Sequence, residues 1–455
     1  MPLKPVIAVI DVGKTNKKLL LFNEDYQVVY EQSTRFDETV DEDGYPCEDL
    51  DRLRLFIYDS LRSVFNKKEY EIKAINFCGY GASFVYVNEE GTPLSFLYNY
   101  LKPYPEQLKE KFYNTYGGED EFSKVTASPV LGSLNSGMQL YRIKNEKPEL
   151  FNRVKYALHL PQYLSSVVSG QYYSDITSIG CHTNLWNFET NTYHQWVNKE
   201  GIGEILAPVH PYNEVFPAIF PGSNYLVGIG LHDSSAALIP YLVSFTEPFV
   251  LISSGTWCIS LNPFNKTPLT SGELESDCLC YLQYKGEPVK ASRLFAGMEH
   301  EEGVKRIAIY FNKKPEFYKE VEYNSELVSN LKSRRDLKSI ATGFTLRDLS
   351  EYNSSEEAYH QLIIDLIDKQ VASTNLVLLG SDVKRLFVDG GFSKNKIYMN
   401  LLANAYPNLE VFAASMSQAT ALGTALAMHE SWNQKSLPTD LIHLQYFSNL
   451  YHTLI

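Results

Sequence analysis

The chain has 455 residues, of which 44% are hydrophobic and 21% charged, and a formal net charge of −13. That length exceeds one compact core and predicts two domains or three. The acidic balance excludes a nucleic-acid or anionic-membrane surface, which needs a basic footprint, but it leaves room for a nucleotide, which needs only a few N–H donors and a metal.

In chain order, Met1-Pro2-Leu3-Lys4-Pro5 lacks a signal-peptide core, and no later apolar run reaches the roughly 18 residues of a membrane span. Val6 to Ile10 and Leu19 to Phe22 read as two strands joined by the polar tip Asp11-Val12-Gly13-Lys14-Thr15-Asn16-Lys17-Lys18. Gly13 lets backbone N–H groups approach an anion, Thr15 can donate a hydrogen bond, and Asp11 can hold Mg²⁺ through water. The same tip reads equally well as a surface hairpin whose Asp and Gly only make the turn. Gln27 to Tyr30 adds a strand, and Leu50, Leu53, Phe56, Ile57, Leu61 and Val64 recur at helical spacing. Ile72 to Phe77 returns as a strand, so the class is α/β.

Further on, His232-Asp233-Ser234-Ser235 follows the strand-like Leu226 to Ile229 and opens the apolar helix Ala236 to Leu242. Asp233 reads either as the N-cap, with Ser235 in the first turn, or as a general base with His232 beside it. Phe249 to Ser253, the turn Ser254-Gly255-Thr256 and Trp257 to Leu261 repeat the opening pattern of strand, glycine-hydroxyl turn and strand. Cys278-Leu279-Cys280 is the only near pair among six cysteines; with no matching His or Cys pair it reads as structural rather than as a zinc site. Tyr359, Leu362, Ile363, Leu366, Ile367 and Val371 mark a helix, and Leu386 to Val388 enters Asp389-Gly390-Gly391. Ser393 is the expected N-cap of a helix carrying Ile397, Leu401, Leu402 and Ala405; the glycines before it suit either a ligand at the backbone or an ordinary strand–helix turn. A helix over Ser417 to Met428 and a C-terminal extension past His429 complete the chain. Two similar halves predict a duplicated domain with a cleft between the copies, divided as 1–244 and 245–455, and closely packed because no low-complexity linker separates them.

Taken in order, these elements resemble the FGGY family of carbohydrate kinases over nearly the whole chain. Asp11 to Lys18 is similar to the family's first phosphate motif, Tyr141 to Glu149 to its Trp-x-x-x-Asn-x-Pro-Glu segment, and Asp233 to its catalytic Asp before a small-residue helix. Ser253-Ser254-Gly255-Thr256 resembles the second phosphate motif, and Gly390 to Asn395 with Gln418 to Gly423 the adenosine motif. The resemblance implies two ribonuclease-H-like domains of the actin/hexokinase ATPase type flanking a deep cleft, with ATP mainly on the second and sugar mainly on the first. It implies Asp233 as the base, Asp11 as the Mg²⁺ residue, and Gly13, Lys14, Thr15, Asn16, Lys18, Gly255 and Thr256 around the phosphates. Gly390, Gly391, Phe392 and Asn395 would border the adenine nucleotide, and Gly81, Ala82, His232 and Asp233 the sugar. Four departures stand out. Lys14 replaces a small hydroxyl residue and is expected to reach the terminal phosphate, with a solvated side chain as the alternative. Phe392 replaces a glycine and would place a ring near the adenine pocket. Gln418 replaces a Glu, and Tyr100-Leu101-Lys102 stands where the family has Asp-x-Arg.

His232-Asp233-Ser234 and Gly255-Thr256-Trp257 are similar to the rhamnulose-kinase branch, which implies a 6-deoxy ketose such as L-rhamnulose or L-fuculose. Phe84, Tyr86, Phe96, Tyr98 and Tyr100 would cover a sugar methyl group or simply form core. The alternatives are a xylulose, ribulose or polyol kinase, an actin-like ATPase, and a sugar sensor without catalysis. A cytoplasmic location and a small-molecule sugar partner are expected, with no nucleic-acid or membrane partner; the oligomeric state stays open, a homodimer among the options.

Overall fold

A computed structural model describes residues 3–220, 222, 224–334, 343–416 and 418–448. The strand Lys4–Val12 is buried without a break from Val6 to Ile10, as a strand covered on both faces must be. It pairs antiparallel with Lys17–Asn23, which pairs antiparallel with Val28–Thr34. Its other edge pairs in parallel with Tyr70–Gly79, and that strand in parallel with Leu226–Gly228 and Leu231–His232. Val215–Pro217 closes the sheet antiparallel.

The second half repeats this order. Phe249–Ser254 pairs antiparallel with Cys258–Asn262, and that strand antiparallel with Pro288–Leu294. On the other side Phe249–Ser254 runs parallel to Arg385–Gly390, which runs parallel to Glu410–Ser415. Cys278–Leu282 extends one edge. His443–Phe447 closes the other, so the segment past His429 supplies an edge strand of the second sheet rather than a mere extension. Cys278 and Cys280 lie in a ladder as structural residues, and all six cysteines are free thiols.

The helices follow their apolar periods. Leu50–Phe65 is capped by Asp49, whose side chain accepts from the N–H groups of Asp51 and Arg52; Ser355–Leu378 is capped by Ser354. Two expected caps are corrected. His232 occupies the N-cap of the helix Asp233–Ser244 and makes no side-chain cap bond, so Asp233 is the first helical residue and not its cap. Ser393 lies inside the short turn Phe392–Lys394, and Asn395 caps the helix Lys396–Ala405 by accepting from Ile397 and Tyr398 N–H, both at 3.1 Å. The last expected helix spans Ala419–Leu426; Ser417 lies outside the described residues. Phe84, Tyr86 and Tyr98 are core, whereas Phe96 is exposed and Tyr100 partly so. Tyr141 is likewise buried in that core. Among the described residues no helix is long and apolar enough to cross a membrane.

Candidate active site

The parallel register gathers the site residues at one end of the first sheet. Asp11 lies beside Cys78, and Cys78 beside Leu231, so Asp233 emerges two residues later at the carboxyl ends of three adjoining strands. Open α/β sheets bind ligands at that edge. Asp11 senses its surroundings: burial first and then the charge of Asp233 push it up to about 6. Asp233 Oδ1 accepts from Ser234 N–H at 2.6 Å, and its side chain stays partly open to the cleft.

His232 is buried beside it. Its Nε2 lies 3.2 Å from Asp233 Oδ1 and 3.2 Å from Cys181 Sγ, and its Nδ1 lies 3.3 Å from Ser235 Oγ. Burial lowers its pKa, and it pushes both His159 and His182 down to about 3, so the imidazoles around the base are neutral near pH 7. Gly81 packs against the His232 ring. Ala82 follows with φ +61°, and its carbonyl accepts from Gln139 Nε2 at 2.7 Å. A non-glycine residue in the left-handed region is uncommon and clusters at functional sites.

Each sheet presents one glycine turn. In the first, Gly13 N–H donates to Asn16 C=O at 3.0 Å, while Thr15 is exposed. Asn16 Oδ1 accepts from Arg35 Nε at 2.7 Å, and Lys18 Nζ donates to Gln418 Oε1 at 2.8 Å, tying the first hairpin to the second half. In the second turn, Gly255 N–H donates to Trp257 C=O at 2.8 Å and Thr256 is exposed. This turn is stitched to the Gly390 segment. Ser254 Oγ donates to Asp389 C=O and accepts from Phe392 N–H at 2.9 Å, and Gly391 N–H donates to Ser254 C=O at 3.0 Å. Gly390 has φ +88°, and a Cβ there would lie 1.9 Å from the Ser254 oxygen, so only glycine allows the two turns to merge into one cradle.

Three of the expected site residues have partners within the protein. The Phe392 ring stacks on Tyr398 at 4.6 Å inside the second core. Asn395 spends its side chain on the helix cap and on Tyr359 Oη at 2.8 Å. Lys14 pairs with Glu38 at 2.6 Å.

Residues 6–238 match the N-terminal domain of the FGGY family of carbohydrate kinases, and residues 246–436 match the carbohydrate kinase FGGY C-terminal domain. The chain belongs to the FGGY family of carbohydrate kinases. A rhamnulokinase of Oceanobacillus iheyensis is 20% identical over 266 residues, 55% of this chain and 54% of that protein. A rhamnulokinase of Enterobacter sp. is 25% identical over 234 residues, 50% of this chain and 46% of that protein. The chain thus spans about half the length of these curated relatives. A carbohydrate kinase from Novosphingobium aromaticivorans superposes with a TM-score of 0.79 at 20% identity, covering 97% of this chain and 96% of that one. A xylulose kinase from Lactobacillus acidophilus does so with a TM-score of 0.77 at 16% identity, covering 98% and 94%. These structures establish the fold of this FGGY chain as two actin/hexokinase-type domains around a cleft.

Several FGGY-site residues escaped the sequence. Lys17 is buried and bonds Glu48 at 2.5 Å and Lys14 C=O at 3.0 Å, which fixes the first turn from below. Arg293 of the second half is held by Asp277 at 2.6 and 3.1 Å, and its charge reaches Cys181 and His182 of the first. Gly297 N–H donates to Thr256 C=O at 3.1 Å, bringing the start of the helix Ala296–Tyr310 to the second turn. The Phe295-Ala296-Gly297 step from strand to helix was the one local signal for it.

Among the described residues no group of three or more His, Cys, Asp or Glu side chains is placed to hold a metal alone. Magnesium needs less when phosphates complete its shell, typically one or two carboxylates. Asp11 and Asp233 fit that requirement, since a divalent cation would offset both the burial and the Asp233 charge that raise Asp11.

Proposed function

We propose that the protein phosphorylates a sugar hydroxyl at the expense of ATP, with a 6-deoxy ketose such as L-rhamnulose or L-fuculose as acceptor. The observation that carries the proposal is the pairing of Asp233 with Asp11 at the carboxyl ends of the first sheet. Asp233, anchored by the Ser234 N–H, takes the proton from the attacking hydroxyl as the new O–P bond forms and the bond to the leaving ADP breaks. His232 flanks the base as a neutral ring and orients it.

Thr15 in the Gly13 turn and Thr256 beside Gly255 hold the triphosphate through their exposed hydroxyl donors, on turns whose own N–H groups are spent in closing them and on the start of the helix Ala296–Tyr310. Gly390 and Gly391 support the nucleotide from the merged cradle. Mg²⁺ held by Asp11 would neutralise charge on the phosphates. Gly81 and Ala82, beside His232, line the sugar side. The choice of a 6-deoxy ketose is supported by His232-Asp233-Ser234 and by the partial likeness to rhamnulokinases.

The test is ADP release over a panel of ketoses, aldoses and polyols. Turnover with L-rhamnulose or L-fuculose supports the narrow reading, turnover only with xylulose, ribulose or a polyol replaces it, and sugar-independent hydrolysis removes the kinase reading. Asp233→Asn is expected to fold and bind ATP while losing roughly 10²–10⁴-fold in kcat; near-normal turnover would take Asp233 out of its role.

A further inference from the structure

Lys14 and Tyr100, two of the positions that depart from the family pattern, meet in space. Lys14 Nζ lies 2.6 Å from Glu38 Oε1, and 5.8 and 5.9 Å from the ring centroids of Tyr80 and Tyr100. The two rings cross edge to face at 5.9 Å. Tyr80 directly precedes Gly81 and Ala82, and Tyr100 lies within reach of the charges of Asp233, Glu48 and Glu38. The backbone under Lys14 is fixed by the buried Lys17, which holds the Lys14 carbonyl and Glu48 together. The ammonium therefore sits between the Glu38 carboxylate and the rings of Tyr80 and Tyr100, and the Tyr100 ring in turn lies near the charge of Asp233. The pair is not sealed off: its side chains are 27% and 41% exposed, so a ligand can reach both.

We propose that Lys14 and Glu38 form a specificity-determining pair that reads two neighbouring hydroxyls of a neutral sugar, other than the hydroxyl that is phosphorylated. The proposal rests on the sugar-kinase reading above and deepens it. An ammonium only donates and a carboxylate only accepts, whereas each sugar hydroxyl does both. Two adjacent hydroxyls thus match the pair without leaving any of its groups unpaired, and both bonds are charge-assisted. The pair is neutral overall, so it gives no advantage to a sugar carboxylate, which Glu38 would repel. The partly exposed Tyr100 supplies the apolar face that sugar C–H groups need, and both Tyr80 and Tyr100 hold the ammonium by cation–π attraction.

The test compares the parent protein with Lys14→Met, Glu38→Gln and the double variant, using the best sugar of the panel, its monodeoxy analogues and an acidic sugar of the aldonate type. Each single variant is expected to raise the KM for the sugar roughly 10–100-fold, the effect of losing a charge-assisted hydrogen bond, with the KM for ATP held within about threefold. A deoxy analogue lacking a read hydroxyl should already be poor with the parent and lose little more in the variants. A raised KM for ATP with the sugar KM unchanged would overturn the proposal by placing Lys14 on the phosphates. Unchanged constants throughout would overturn it by making the pair a solvated one. Absence of sugar-dependent ADP release from the parent on every acceptor would overturn the kinase reading and this pair with it; release by the parent with unaffected variants overturns the pair alone.

Discussion

Asp175 shows how a single side chain ties stability to the site. It is fully buried. Its Oδ1 accepts from the N–H groups of Thr177 and Ser178 at 2.9 and 3.2 Å and from the Thr177 hydroxyl, whereas its Oδ2 has no hydrogen-bond partner. The Thr177 oxygen in turn accepts from His232 N–H at 2.9 Å, next to the proposed base. Burial pushes the Asp175 carboxyl up from 3.8 to about 7. With the folded value above the unfolded one, the stabilising contribution of the protonated acid is complete below the ordinary carboxylate range and is lost as pH rises through about 7. Thermal melts between pH 5 and 8.5 should therefore show the parent losing roughly 1–3 kcal/mol across that window, and Asp175→Asn a flatter profile. Parallel profiles would mean that Asp175 is not the titrating group. Thr177→Val cuts the link to His232 without touching the cleft; it should lower kcat about tenfold through a misplaced base while leaving the KM for ATP alone, which steady-state kinetics would read.

At the scale of elements, two helices join the halves by crossing into each other's territory. Asp233–Ser244 sends Leu238 and Tyr241 into the core around Phe249 and Phe387, and Ala419–Leu426 packs on the first sheet against Ile7, Val9 and Ala74. They meet where a Cβ on Gly423 would come within 1.9 Å of the Ala236 carbonyl oxygen. Pro240, four residues on, has no N–H to donate to that carbonyl, which leaves it open to the close approach. Gly423→Val forces the helices apart and is expected to cost roughly 1–3 kcal/mol, read as a lowered Tm; an unchanged Tm would mean that the crossing has slack. These elements also mark what the sequence could disclose. Both hairpins were legible because a glycine and a hydroxyl between apolar runs are a local signal, and the helix Leu50–Phe65 because its period is local too. Ser393 was the cap expected from its place before the apolar period, and only the fold shows that Asn395 begins the helix instead. The Phe392 ring was expected near the adenine pocket, and its stacking on Tyr398 could not be read from the residues around it. Lys14 lacked its explanation because Glu38, Tyr80 and Tyr100 come from three separate segments.

For the whole molecule, the proposed reaction divides its parts between the domains. Asp233 and the sugar-side residues belong to the first sheet, and the cradle of Ser254, Gly255 and Gly390 to the second, so transfer needs the two brought together with water kept out. The contacts that join the halves away from the cleft are sturdy: the crossed helices, Tyr26 Oη at 2.6 Å from His429 Nδ1, and Asn433 Nδ2 donating to Glu24 C=O at 2.8 Å. Nearer the turns the first hairpin meets the second half through Lys18 with Gln418, a polar and partly exposed contact. That distribution favours rotation about the crossed helices, with the cleft mouth travelling farthest. Solution scattering should show the radius of gyration falling when sugar and a non-hydrolysable nucleotide are both present, and less with either alone. Gly423→Val, which loosens the pivot, should weaken that response while leaving nucleotide binding measurable. A profile that does not change with both ligands bound would mean that the cleft is already closed around its reactants, and the water excluded from the phosphate would then have to be excluded by side chains alone.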